Sequence, residues 1–215
     1  MHNDDHRQLD GLITELADLC DLVGDAIRSA SSAVRESDIE TARRVIGDGR
    51  IAGASTACER HAQALLGRTS AGAVDLRTVL AVIRTAESLA RMGELAIHIA
   101  ESVGRRHPQP VLPAVLVPRF AEMGRIAADL ARVTGRVIRT RNPPLTVKLA
   151  ELHDDMGDLH RTLVSVIGYD DWSCGVATAI DVSLLSMFYQ RFADHAVRAV
   201  EQIAFVVNRG GLPVS

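Results

Sequence analysis

Asp154 and Asp158 stand four residues apart in the segment His153-Asp154-Asp155-Met156-Gly157-Asp158-Leu159-His160. On a helix that spacing points both carboxylates the same way. Two like charges so placed are mildly unfavourable unless a cation or an arginine lies between them. Asp194, on a helix that would pair with this one, is a candidate third ligand, and three carboxylates suit a hard cation such as Mg²⁺, Mn²⁺ or iron. Aspartate is equally an ordinary residue of an exposed helix, so the pair alone leaves both readings open.

A second polar stripe runs Arg84, Glu87, Arg91, Glu94, His98, Glu101, Arg105, advancing by three or four so that one helix face holds them all. Glu94 could serve as a metal ligand there. The preferred reading is a solvated face laced by pairs such as Glu87–Arg91 and Glu101–Arg105, each worth ~0.2–0.5 kcal/mol. Arg125, Arg132, Arg136 and Arg139, with Asp129 among them, form a third stripe. It reads as solvated in preference to a docking surface for an acidic partner or an anionic membrane leaflet. No Glu-x-x-His occurs, which a di-iron carboxylate bundle would need. Nor is there a P-loop, a dinucleotide-binding glycine fingerprint, a Gly-x-Ser-x-Gly elbow or a His-Glu-x-x-His. His98, His153, His160 and His195 therefore read as surface or interfacial residues. A metal-dependent carboxylate enzyme on a helical bundle stays as the competing function class.

The elements that must position these residues are helices. Leu9, Leu12, Leu16, Leu19, Val23, Ala26, Ala30 and Ala33 recur every three or four positions, one face of a long amphipathic helix. Ser37-Asp38-Ile39-Glu40 reads as a capping box opening a second helix through Leu66, weakened in its middle by Gly47, Gly49 and Gly53. Residues 67–72 form a turn, and a third helix spans about Asp75 to Arg105. All seven prolines lie at or beyond Pro108, and four crowd into 108–118. Proline lacks an amide donor and clashes with the preceding turn, so this stretch links two halves, 1–107 and 108–215. The second half repeats the plan: a helix from near Pro113 or Pro118 to Asn142, one from Leu145 to Ile167, and one capped by Asp170 or Asp171 and running through Val207. Long rods with short turns make antiparallel bundles. Sliding the chain by 100 residues superposes Arg91 on Arg191, Ala96 on Ala196, Glu101 on Glu201 and Glu94 on Asp194, so the halves read as a repeat.

Composition excludes other classes. Basic residues number 24 against 27 acidic, and only 3% of the chain is aromatic. Neither phosphate contacts nor base stacking has its usual footing, so nucleic acid is not an expected partner. Cys20, Cys58 and Cys174 are far apart with no Cys-x-x-Cys pair, and read as reduced core residues. The acidic N-terminus lacks a signal-peptide pattern and no window reaches the ~20 apolar residues of a membrane span, which points to the cytoplasm with at most peripheral membrane contact.

Three segments carry a family resemblance. Ala90-Arg91-Met92-Gly93-Glu94-Leu95-Ala96-Ile97-His98-Ile99-Ala100, Asp154-Asp155-Met156-Gly157-Asp158-Leu159-His160 and Tyr189-Gln190-Arg191-Phe192-Ala193-Asp194-His195-Ala196-Val197 resemble the PhoU family, and the similarity extends over essentially the whole chain. The resemblance implies an all-α fold of two tandem three-helix bundles related by a pseudo-twofold repeat. It implies a cytoplasmic regulator that keeps phosphate uptake and the phosphate-starvation two-component response switched off when phosphate is plentiful. It further implies contacts with the ATPase subunit of a phosphate ABC transporter and with a sensor histidine kinase, alongside a homodimer. A helical scaffold that has drifted from phosphate control is the alternative, because family likeness fixes fold better than task.

The resemblance also implies metal clusters held by acid-x-x-x-acid motifs on helices two, three, five and six. Here those motifs read Asp48 with Ala52, Ala90 with Glu94, Asp154 with Asp158, and Gln190 with Asp194. Losing three of these eight carboxylates weakens sites whose affinity depends on charge. The expectation is a degraded first-half site at Asp48 and Glu94. The second-half set Asp154, Asp158, Asp194 and Gln190 is expected to hold at most one weakly bound divalent cation (Mg, Mn, Zn or Fe). Arg91 and Arg191 become structural or partner-facing cations, free to pair with Glu94, Asp158 or Asp194.

Overall fold

The computed structural model describes residues 2–68, 76–140, 144–168 and 172–209. The helices are α1 (His2–Glu36), α2 (Ile39–Ile46), α3 (Arg50–Arg68), α4 (Leu76–Arg106), α5 (Val117–Thr140), α6 (Pro144–Gly168) and α7 (Gly175–Arg209), with a short 3-10 turn at Ala114–Leu116. Among the described residues there is no strand, and none of the helices is long and apolar enough to cross a membrane. The architecture is two tandem three-helix bundles, α1, α2–α3 and α4 against α5, α6 and α7.

The helix ends follow from local chemistry. Ser37 adopts φ 54°, and the Asp38 amide returns to the Ala33 carbonyl at 2.9 Å, which ends α1. Asp38, rather than the Ser37 read from the sequence, is the N-cap of α2: its Oδ1 accepts from the amides of Glu40 at 2.9 Å and Thr41 at 3.1 Å. The expected second helix is two helices. Gly47 closes α2 through its amide to Arg43 O, and Asp48 Oδ1 accepts the Arg50 amide at 3.0 Å to open α3. Glycines that only weaken a helix on paper break it here because Asp48 supplies a fresh cap between them. Pro118 falls in the first turn of α5, where its missing amide costs nothing. Gly67 and Arg68, read as the start of a turn, are the last residues of α3; the rest of that turn, 69–72, the caps proposed at Asp170 or Asp171 and the end at Asn142 lie outside the described residues.

The apolar side chains form one continuous core through both bundles. α1 runs along α5 and α4 along α7, and these two pairs are the most extensive helix contacts. Both are antiparallel. Ser31 meets Gly124, Gly24 meets Ala131 and Cys20 meets Gly135 in the first; Ser88 meets Gln202, His98 meets Phe188 and Arg106 meets Asp181 in the second. Each pair joins a helix to its equivalent in the other half, which is the arrangement an approximate twofold produces. α2–α3 and α6 flank this four-helix centre on α1, α4, α5 and α7.

Packing at the centre explains what periodicity did not show. Besides the expected stripe, α1 buries Ile13, Ala17, Cys20, Ile27 and Val34, because it is covered by α4 on one side and α5 on another. Tyr189, fully buried, packs near Phe120 and donates its hydroxyl to Ser31 Oγ at 2.9 Å, tying α7 to α1. Burial pushes the Tyr189 pKa up to about 12. Cys20 and Cys58 are buried as expected; Cys174 is exposed, because it precedes α7 in the connection instead of lying on an apolar stripe.

Candidate functional site

The residues singled out for chemistry fall at the borders between the central helices and the flanking ones. Asp48 lies in the α2–α3 break. Both its carboxylate oxygens are engaged by Arg50, whose Nε is 3.0 Å from each and whose Nη2 is 2.6 Å from Oδ2. The Arg50 side chain and amide hold the Asp48 carboxyl below its usual range. Ala52 is exposed one turn on and offers no donor. On α4, Arg91 Nη1 donates to Glu94 Oε2 at 2.5 Å. The stripe that reads as solvated is indeed exposed at Arg84, Glu87, Arg91, Glu94, His98 and Arg105. Its bonds run i to i+3, Arg91–Glu94 and His98–Glu101, where the sequence suggested i to i+4 partners.

On α6, Asp154 is 85% exposed with only His153 Nδ1 near it, at 3.8 Å, and Asp158 pairs with Arg161. Asp194 on α7 faces α6 but meets a histidine there: His153 Nε2 donates to its Oδ1 at 2.9 Å, and Gln190 Nε2 donates to the same oxygen at 3.0 Å. Gln190 Oε1 is buried without a hydrogen-bond partner and is packed towards Gly157. The structure therefore does not gather Asp154, Asp158, Asp194 and Gln190 around one point. Among the described residues no three His, Cys, Asp or Glu side chains converge closely enough to hold a metal ion. Arg191 forms no ion pair among the described residues, and the groups that do meet the motif acids are the guanidiniums of Arg50, Arg91 and Arg161 and the imidazole of His153. Their positions at i+2, i+3 and across a helix pair are visible in the sequence, but only the fold selects His153 over Arg191.

A groove of about 470 Å³ lies where α3, α4 and α7 meet, lined by Glu59, Glu87, Arg91, Glu94, His195 and Arg198 among others. Ala90 borders it where the resemblance would place an acid. His195 Nδ1 is buried with no partner. Desolvation first, then Arg198, Arg191 and Arg91 against Asp194, push the His195 pKa below its ordinary value, so its neutral form is favoured. The other histidines are interfacial as read: His98 stacks near Phe188, and His160 Nδ1 lies 2.6 Å from Ser186 Oγ.

The comparisons with known proteins agree with this fold. A family model described as PhoU domain matches residues 16–103. The "Phosphate-specific transport system accessory protein PhoU homolog 1" of Mycobacterium leprae is 40% identical over 201 residues, covering 93% of this chain and 90% of the relative. This chain belongs to the PhoU family. The "PhoU homolog 2" of Mycobacterium tuberculosis is likewise 40% identical over 201 residues, 93% of this chain and 94% of its own. The crystal structure of the phosphate transport system regulatory protein PhoU from Streptococcus pneumoniae superposes with a TM-score of 0.82 at 20% identity, covering 98% of this chain and 100% of that one. PhoU from Pseudomonas aeruginosa gives 0.79 at 17% identity, with 96% and 99% covered. At such identities these structures bear on the fold alone.

Metal clusters of the kind the PhoU resemblance implies do not fit the donors present here. Ala52, Ala90 and Gln190 remove three anionic donors, and each of Asp48, Glu94, Asp158 and Asp194 is already bonded to a side chain of the protein. Oxygen-seeking divalent cations take six or more ligands, several of them carboxylates or waters.

Proposed function

We propose that this protein is an accessory regulator of phosphate transport, acting in the cytoplasm through protein–protein contacts. The observation that carries the reading is the 40% identity to mycobacterial proteins named phosphate-specific transport system accessory proteins, extending over 93% of the chain. The alignment runs through both bundles, not one. On this reading the protein docks on the ATPase subunit of a phosphate ABC transporter and on a sensor histidine kinase, and it restrains uptake and the starvation response when phosphate is plentiful. It works by binding, with no reaction of its own.

The test is a tagged pull-down from phosphate-replete and phosphate-starved cells. Recovery of a transporter ATPase and a histidine kinase in the replete sample supports the reading. Deleting the gene should raise phosphate uptake under replete conditions, and unchanged uptake together with an empty pull-down would overturn it.

A further inference from the structure

Eight positions carry the acid motifs the resemblance assigns to metal: Asp48, Ala52, Ala90, Glu94, Asp154, Asp158, Gln190 and Asp194. Two independent changes meet at them. The sequence has removed the carboxylates of Ala52, Ala90 and Gln190, so each of three helices keeps one acid instead of two. The fold then sets a positive or proton-donating side chain against four of the five acids that remain, Asp154 being exposed to solvent. Arg50 covers both oxygens of Asp48, Arg91 holds Glu94, Arg161 holds Asp158, and His153 with Gln190 holds Asp194. Four different helices are involved, so one chance contact does not account for the pattern.

We propose that in this protein hydrogen-bond-donating side chains, three of them guanidiniums, stand where the family's metal clusters would, so that the chain folds and works free of bound metal. The physical sense is charge balance. A lone carboxylate flanked by a guanidinium needs no divalent partner, and a divalent ion arriving there would have to displace the guanidinium while finding too few oxygens to replace its waters. Arg50 shows this best, because a bidentate fork on Asp48 leaves neither oxygen open for a metal on the fork's side. Gln190 contributes in the second half by donating its amide to Asp194, where a glutamate would repel it. The exposed pairs contribute little to stability; their effect is on which cation the surface accepts. This inference rests on the donor set and stands apart from the phosphate reading.

The test uses the full chain purified without chelator. Elemental analysis for Mg, Mn, Fe and Zn should find well under one ion per chain after dialysis, and thermal melts with and without EDTA should superimpose. One or more retained ions per chain, or a melting temperature lowered by EDTA, would overturn the proposal. A variant restores the one lost donor of the second half and clears the side chains that hold its acids: Gln190→Glu with His153→Ala and Arg161→Ala. All three positions lie at or near the surface, and the variant should gain a Mn²⁺-dependent rise in melting temperature that the native chain lacks. A variant that melts identically with and without Mn²⁺ would show that these residues are not what excludes the metal, which also defeats the proposal.

Discussion

The two antiparallel seams that join the halves differ in the residues at their crossings and in how buried their polar links are. Along α1–α5 the backbones come close because small residues line the crossing: a Cβ placed on Gly124 would lie 2.7 Å from Ser31 Cβ, and one on Gly135 would lie 3.1 Å from Cys20 Cβ. Along α4–α7 the helices are bridged by polar groups, Ser88 to Gln202 at 3.0 Å and Arg106 Nε to Asp181 at 2.5 Å with Thr178 at 3.3 Å. The first seam also has a polar link, Arg139 of α5 to Asp18 and Asp21 of α1 at 3.1 and 2.6 Å, but that link is exposed, whereas Arg106 and Asp181 are half-buried and Ser88 and Gln202 border the groove that holds His195. Repeat-related helices thus keep the same antiparallel pairing while placing different residues along it.

The sharpest way to break that contrast is Gly124→Ala. Ser31 Cβ belongs to a buried helix and cannot rotate away, so overpacking should cost about 1–3 kcal/mol, read as a lowered midpoint in urea melts; an unchanged midpoint would mean the seam is looser than described. On the other seam, Arg106→Ala removes a half-buried ion pair and a hydroxyl contact, with an expected loss of about 1–2 kcal/mol in the same assay. Double substitution with Asp181→Ala should then add less than the sum, since the two residues are partners. Tyr189→Phe keeps the ring and deletes one hydrogen bond to Ser31 Oγ, while Ser31 still donates to Ile27 O. About 1 kcal/mol of stability should be lost, with the helical circular dichroism unchanged.

The smallest expected effect lies outside both seams and serves as a control. The Thr41 hydroxyl, followed by the Thr41 amide, holds the Asp38 carboxyl below its ordinary value. The unfolded chain therefore takes up this proton first as pH falls. The contribution is complete above the ordinary aspartate range and is lost as pH drops through the depressed folded value. Asp38→Asn retains an acceptor for the cap but does not titrate. The stability advantage of the native chain over this variant should shrink in acid and stay constant near neutrality, and a gap that widens in acid would contradict the cap.

Much of the fold was legible because it is local. Apolar spacing gave the rods, and prolines marked the link and the starts of α5 and α6. What escaped was non-local or depended on a single torsion. Ser37 and Asp38 are both good caps on paper, and only the positive φ of Ser37 places Asp38 at the cap. The second buried face of α1 was hidden because Ala17 and Cys20 are small, and their burial follows from α5, more than a hundred residues away. At the candidate site, the missing acids were plain in the sequence at Ala52, Ala90 and Gln190. Which side chain meets Asp158 and Asp194 was not, because Arg161 and Arg191 look equally placed until α6 and α7 are docked and His153 takes Asp194.

The hydroxyl of Tyr189 on Ser31 and the bare Cα of Gly124 together make the proline-rich bend act as a clasp, with the two halves as its leaves. Such a clasp does not need its hinge to stay shut. Cut between Pro108 and Pro113, the leaves retain complementary inner faces, and halves made separately should seek each other and melt as one body.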